Sequence, residues 1–385
     1  MAWESIIGQK HLQQMLQQSI LSKRLPQALL LSGSKGRGAV ALAVEYAKTL
    51  NCLSAVTTND SIASCNACQS CLQARTLQHP NITIVTALPP GRIEQMSDYK
   101  DDVIEEIKDQ LAEISKDPYT PFRIGSANVI RIWQIRELNK SLSLSTLQQG
   151  RRIVIIIDAE LMNTEATNAF LKTLEEPHDG VTIILTSWRP ERLLPTIVSR
   201  CQELIIPPIA DDEIVGELLR RGECTESEAR IIAACCDGDM TVALEFIHED
   251  VQEIRNDVIT MFRSILRGRD FRLGIAESAS LVAEHRDKAR ALTYLRFMQV
   301  WLRDARMLHI TQSTMGVSNQ DALDTLSKFA VAFGNANVDS ALLSIDKASY
   351  DILQNVSINL TFTSLLMDLR TILAKGAANN RPSAA

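Results

Sequence analysis

Aromatic side chains are scarce, at 5% of 385 residues, which argues against broad platforms for stacking nucleic-acid bases. Excess positive charge is also missing. The net charge of −6 speaks against a protein that coats nucleic acid, although it leaves room for a local basic surface. No uninterrupted apolar run approaches membrane-spanning length, and the longest strong one, Ile153–Ile157, stops at Asp158. The opening MAWESIIGQK has no basic segment followed by an apolar core, so no secretory signal is expected. These absences predict a cytoplasmic protein without a membrane partner. In a reducing compartment the eight cysteines are not expected to form a disulfide framework.

One absence is local. "LLSGSKGRGAVALA" (Leu30–Ala43) follows an apolar run into a glycine-rich turn and then a helical pattern. Against the phosphate-loop pattern G-x-x-x-x-G-K-[ST], Gly33 and Gly38 hold the glycine places, with Gly36 between them. Ala39 stands where the lysine belongs and Val40 where the Mg²⁺-binding hydroxyl belongs. Lys35 and Arg37 lie inside the loop, on stems that start on the wrong side of the turn to replace position 39. A second frame is emptied in the same way. "RIVIIIDAELMN" is an apolar strand ending in Asp158, where Mg²⁺ would be held. The next position, that of a water-activating carboxylate, is Ala159, and Glu160 comes one residue late, on the opposite face of an extended chain. Together the two losses predict a chain that does not hydrolyse ATP.

What is present sorts into an α/β part and a helical part. Leu29–Leu31, Ile82–Thr86, Ile153–Ile157 and Thr182–Thr186 are continuous apolar runs, as in parallel strands buried on both faces. Helical patterns such as Ala39–Leu50 and Thr164–Leu174 separate them, which predicts a doubly wound α/β domain over 1–207. Beyond Pro207-Pro208 only helices are expected: a short unit over 208–250, a longer one over 251–374, and a disordered tail over 375–385. The acidic stretch 92–122 carries Val103, Ile107, Leu111 and Ile114 on one helical stripe and is ended by Pro118. It reads as an amphipathic helix lying on its own domain or as a docking surface for a partner.

Cys52, Cys65, Cys68 and Cys71 are spaced C-x12-C-x2-C-x2-C within a module spanning 52–71. Two-residue gaps let neighbouring thiolates turn toward one metal, and an upstream fourth ligand completes a tetrahedron suited to structural Zn²⁺. An iron–sulfur cluster, whose ferredoxin run has its fourth cysteine downstream, a disulfide and chance clustering are the alternatives. His79 is a nearby spare ligand. Cys201, Cys224, Cys235 and Cys236 lack metal spacing and read as thiols, buried in most cases. Arg200, within "TIVSRCQEL", is always charged and forked to suit phosphate oxygens. It reads either as an arginine finger for another subunit's site or as an ordinary surface or helix-capping residue.

Taken together, the motifs resemble a known family: the delta-prime subunits of the bacterial DNA polymerase III clamp loader, members of the AAA+ group. "IIGQ", "RLPQALLLSGSKGRGAVALA", the cysteine tetrad, "IRIWQIRELNKSLSL" (Ile130–Leu144), "DAELMNTEATNAFLKTLEEP" (Asp158–Pro177), "SWRPERLLPTIVSRCQ", "GDMTVALEF" and "NVSINLTFTSLLMDL" (Asn355–Leu369) carry the likeness in family order. The resemblance implies a RecA-like AAA+ domain with an inserted zinc module, a small helical lid and an all-α collar that joins a pentameric ring. It implies a chain without catalysis of its own or bound ATP. Gamma/tau ATPase subunits and delta would be its neighbours, with the sliding clamp and primed DNA met through the complex. Arg200, matching the arginine of the family's SRC motif, would reach into a neighbour's ATP site. Thr241 stands where an active relative has its second sensor arginine, and the 92–122 stretch is longer than the usual family connection. The competing readings are an active gamma/tau-like ATPase and a zinc-dependent nucleic-acid-binding module, the latter disfavoured by the negative charge and scarce aromatics.

Overall fold

A computed structural model describes residues 3–91, 93–120, 128–143, 150–176, 178–266, 270–284 and 286–379, with side chains to residue 374. Arg92 and Phe122 of the acidic stretch, Leu144 and Pro177 of the motifs, and the tail from 380 lie outside the described residues. The chain forms two compact units, one of residues 1–213 with 238–244 and the other of 214–237 with 245–385.

The first unit begins with helix α1 (Lys10–Leu21), strand β1 (Ala28–Ser32) and helix α2 (Ala39–Leu50). A short hairpin, β2 (Val56–Thr57) and β3 (Ile62–Ala63), and helix α3 (Gln69–Arg75) form the cysteine module. Then come β4 (Ile82–Val85), α4 (Asp101–Lys116), α5 (Ile132–Ser143), β5 (Arg152–Ile156), α6 (Thr164–Glu175), β6 (Val181–Ser187), α7 (Pro195–Val198) and β7 (Gln202–Ile205). The five main strands lie in the order β4-β5-β6-β1-β7, all parallel. The apolar runs predicted as strands are strands, because β-branched chains such as Ile153–Ile156 cover both faces at once. Leu30, opposite Leu185, and Ile155, opposite Ile184, are fully buried. Phe170 of α6, Ile135 and Leu138 of α5 and Ile197 of α7 pack on Leu30, Val154, Ile156 and Ile183. Asn163 caps α6, accepting from the Ala166 N–H at 2.9 Å.

With β1 flanked by β6 and β7, the loops after β1, β5 and β6 gather at one edge of the sheet, outside the carboxyl ends of the strands. An open parallel sheet binds ligands at such a switch in strand order. At the sheet's outer edge the acidic stretch is an amphipathic helix on its own domain. Ile107 and Ile114 of α4 are buried, and Ile107 packs with Leu88, Tyr99, Val103, Leu111 and Trp133. A cleft lined by Thr83, Ile84 and Val85 of β4 and by Ile107 and Leu111 of α4 runs along that edge, which α4 thereby shields.

The helices after β7 are α8 (Asp211–Arg221), α9 (Glu226–Cys235), α10 (Met240–Ile247), α11 (Val251–Ile265), α12 (Phe271–Glu284), α13 (Lys288–Thr311), α14 (Leu323–Phe333), α15 (Val338–Leu353) and α16 (Ile358–Asn379). Residues 208–250 are divided between the two compact units. The turn at 238–241 is hydrogen-bonded into the first unit, Met240 N–H donating to the Gly36 carbonyl at 3.1 Å. The apolar side of α9 packs instead on α11 and α13, and Arg303 Nη2 donates to the Ala234 carbonyl at 3.1 Å. In the second unit α13 is central, carrying the buried Trp301, while α12 packs on α16 and α15 on both α13 and α16. Phe329 of α14 meets the rings of Phe262 and Trp301 edge-on at 5.4 and 6.2 Å. α16 continues to Asn379, so the first five residues of the expected tail are helical.

Candidate functional site

The loop after β1 is a glycine turn that leads into α2. Gly36 and Gly38 have φ of +68° and +95°, a left-handed geometry that glycine adopts without strain, and Gly38 opens α2. The chain's own groups already serve this loop. Gln9 Nε2 donates to the Arg37 carbonyl at 3.2 Å and the Pro207 carbonyl at 2.8 Å. A Cβ on Gly36 would stand 1.7 Å from Asp239 Oδ1 and 2.7 Å from Thr241 N, and one on Gly38 would stand 3.0 Å from the Tyr119 hydroxyl. Gln9, Tyr119 and Asp239 were not singled out by sequence reasoning. Gln9 sits in the quoted IIGQ segment, but nothing in its spacing announces a long-range role.

At the end of β5, Asp158 adopts a left-handed conformation with φ of 53°. Its carboxylate pairs with Lys35 Nζ at 3.3 Å, and Lys35 also lies 4.8 Å from the Trp188 ring, on which the Arg189 guanidinium stacks at 3.8 Å. Lys35 therefore reaches across the loop to the carboxylate rather than taking the place left by Ala39. Glu160, the displaced acid, accepts from Trp188 N–H at 3.3 Å, and its Oε2 is buried without a hydrogen-bond partner. Burial, with the nearby Asp158 charge adding to it, pushes the Glu160 carboxyl above its usual range. Ala159 beside it is buried. Glu160 is thus held inward by Trp188, one position beyond Ala159.

Arg200 projects from the turn between α7 and β7, about one-third exposed. Nη2 pairs with Glu175 Oε1 at 2.8 Å, and Nη1 donates to the Thr196 carbonyl at 2.9 Å. The neighbouring Cys201 is packed against the sheet core, and burial raises its thiol to about 11. Arg200 and the glycine loop are thus separate features: the loop is engaged within the chain, and the guanidinium lies at the surface.

The four cysteines converge. The sulfurs of Cys52, Cys65, Cys68 and Cys71 all lie within 4.8 Å of one another, with Cys65 and Cys71 Sγ 3.9 Å apart. A disulfide needs about 2.05 Å. Thiolates about 2.3 Å from one tetrahedral metal stand roughly 3.8 Å apart. Backbone N–H groups of Ala67 and Cys68 lower the Cys65 thiol to about 6, whereas burial raises that of Cys71. The donor set can hold a metal ion. His79 is not part of it: Nδ1 accepts from Asn81 N–H at 3.0 Å, leaving Nε2 to donate to Ser70 Oγ at 2.9 Å.

The cysteine module is tied to α2 by a buried ion pair. Glu45 and Lys48 are 2.6 Å apart, Lys48 donates to Asn66 Oδ1 at 2.6 Å, and Ser64 donates to Glu45 at 2.9 Å. Burial raises the Glu45 carboxyl while Lys48 opposes the rise. Lys48→Met strands a buried carboxylate and should cost the first unit about 3–5 kcal/mol, whereas Glu45→Leu with Lys48→Met should recover most of it. Denaturant midpoints of the three chains check this. Equal losses in the single and double variants would refute it.

Comparison with known proteins places these features. Residues 8–210 match the family described as DNA polymerase III, delta subunit. DNA polymerase III subunit delta' of Bacillus subtilis is 23% identical over 363 residues, 94% of this chain and 96% of that protein. Subunit delta' of Pseudomonas aeruginosa is 27% identical over 252 residues, 65% of each chain. Subunit tau of Bacillus subtilis is 27% identical over 254 residues, 65% of this chain but 38% of that protein. The resemblance carried by the motifs is upheld.

Proposed function

This chain belongs to the DNA polymerase III delta-subunit family, and from that premise we propose that it is a delta-prime-type clamp-loader subunit that does not hydrolyse ATP. The carrying observation is the state of its nucleotide apparatus. Ala39 and Val40 replace the lysine and hydroxyl, and the carboxylate of Asp158 is neutralised by Lys35 instead of holding Mg²⁺. A phosphoryl-transfer site works by fixed positive charge and metal around the transferred group. Here the one lysine of the loop is spent on the one aligned carboxylate.

In this reading the chain contributes to a neighbour's chemistry. Arg200 leaves Glu175 and its guanidinium meets the charge that develops on the triphosphate of an adjacent gamma/tau ATPase subunit. Its exposure and its weak surface pairing support this role, since an exposed ion pair opposes the exchange by only about 0–1 kcal/mol. The helical second unit serves as a collar in the ring. Leu343, Tyr350 and Leu353 on α15 and Leu360 on α16 are each more than 60% exposed, an apolar surface suited to contact with other subunits. Delta is the other neighbour, and the complex opens the sliding clamp and places it on primed DNA. The four thiolates hold one structural Zn²⁺ that braces the knuckle against α2 and, with its coordination closed, leaves no place for a reacting water.

A gamma/tau-like ATPase is the second reading, favoured by the similarity to subunit tau. Isothermal titration of the purified chain with ATP and Mg²⁺ separates the two. No tight binding is expected, and brisk turnover by the isolated chain would reject our reading. Arg200→Ala should leave the chain folded and assembled while lowering ATP hydrolysis at one site of the reconstituted complex by about 10³-fold. Undiminished turnover in that complex would remove the finger role. Elemental analysis should find one zinc per chain, lost in Cys65→Ser with Cys68→Ser. Iron, or no metal at all, would overturn that assignment.

A further inference from the structure

The acidic stretch between β4 and α5 shields a sheet edge with its helix, but that leaves its C-terminal end unexplained. After α4 the chain turns at Asp117 and Pro118, Tyr119 N–H donating to Asp117 Oδ1 at 3.0 Å. This delivers the Tyr119 side chain to the glycine loop, where it is 97% buried by a relative exposure of 3%. Three separate segments surround it. Its hydroxyl accepts from Ile7 N–H at 2.8 Å, and its carbonyl accepts from Thr241 Oγ1 at 2.8 Å. The same hydroxyl would stand 3.0 Å from a Cβ on Gly38, the residue that opens α2. Ile7 is itself buried, so its N–H has no water to fall back on.

We propose that Tyr119 is the resident occupant of the cleft over the 33–38 loop, a phenol carried in by the acidic insertion to fill the place a diffusible ligand would take. The inference rests on the non-hydrolysing reading above and deepens it by naming what keeps the cleft shut. A cleft at the carboxyl ends of parallel strands, walled by a glycine turn, is costly to leave empty, because buried backbone groups and apolar walls lose their partners together. The tethered ring satisfies the Ile7 amide and packs against the glycine turn without any loss of translational freedom on binding. Gly38 has no side chain in the place where the ring must approach, and Thr241 bonds the insertion's backbone. The site is thus a phenol-binding site closed from within.

Removing the side chain should recreate the cavity and make it bind a free phenol. In the full-length chain, Tyr119→Gly is expected to lower the Tm, and p-cresol should restore it with saturable dose dependence while leaving the wild type unmoved. A Tyr119→Gly chain with unchanged Tm, or one indifferent to p-cresol, overturns the proposal. Should Tyr119→Gly fail to fold, Tyr119→Phe decides, since it keeps the ring and removes only the acceptor. Hydrogen exchange at the Ile7 amide should then quicken roughly tenfold, with the β1 and β5 amides unchanged. Unaltered protection at Ile7 would count against the occupant role. Neither readout involves nucleotide, so the two hypotheses fail separately. Tight ATP binding by the wild type sinks both, whereas an unresponsive Tyr119 in a chain that still refuses ATP sinks this one alone.

Discussion

The contact between Lys35 and Asp158 sets the character of the first unit. A loop lysine and a strand-end carboxylate are the two charges a nucleotide site would turn toward phosphate and metal, and here they face each other at 3.3 Å. With both exposed in part, the pair adds little to stability. Its consequence is geometric: the lysine of the glycine loop is directed to the end of β5 instead of lying free over the turn. Gln9, Asp239 and Tyr119 complete the closure by meeting the loop's backbone from three directions.

A frame emptied of its chemistry is still useful as architecture. The glycine loop starts α2, and α2 carries the buried Glu45–Lys48 pair that holds Asn66 and Ser64 at the base of the cysteine knuckle. Changing the loop would therefore shift the helix on which the cysteine module is built, which gives the turn a structural role of its own. The same economy accounts for the strand ending in Asp158. Its five residues hold β4 and β6 in register, whatever its terminal carboxylate does.

Charge that is withdrawn from the loop remains at the surface. Arg200 and the apolar side chains of α15 and α16 are unspent within the chain: one is a forked cation held by a weak pair, the others large hydrophobic groups in water. Both make better sense in an assembly than in isolation. The family to which the chain belongs is one of assembled subunits, and the proposed role follows from what this chain leaves outward rather than from what it encloses.

Four of the five main strands, α2 and α6 were legible from sequence because continuous apolar runs and helical periodicity are local properties. The cysteine site was legible for the same reason, since ligand spacing within twenty residues constrains where the sulfurs can meet. The loss of the nucleotide groups could also be read directly, position by position. The split of the 208–250 helices between two units could not. It depends on which larger surface each short helix finds, a competition between distant partners that no window of sequence contains. Tyr119 is the clearest case. Its neighbours Ile7, Gly38 and Thr241 lie 112, 81 and 122 positions away along the chain, and only folding turns a lone tyrosine after a proline into the filling of a cleft.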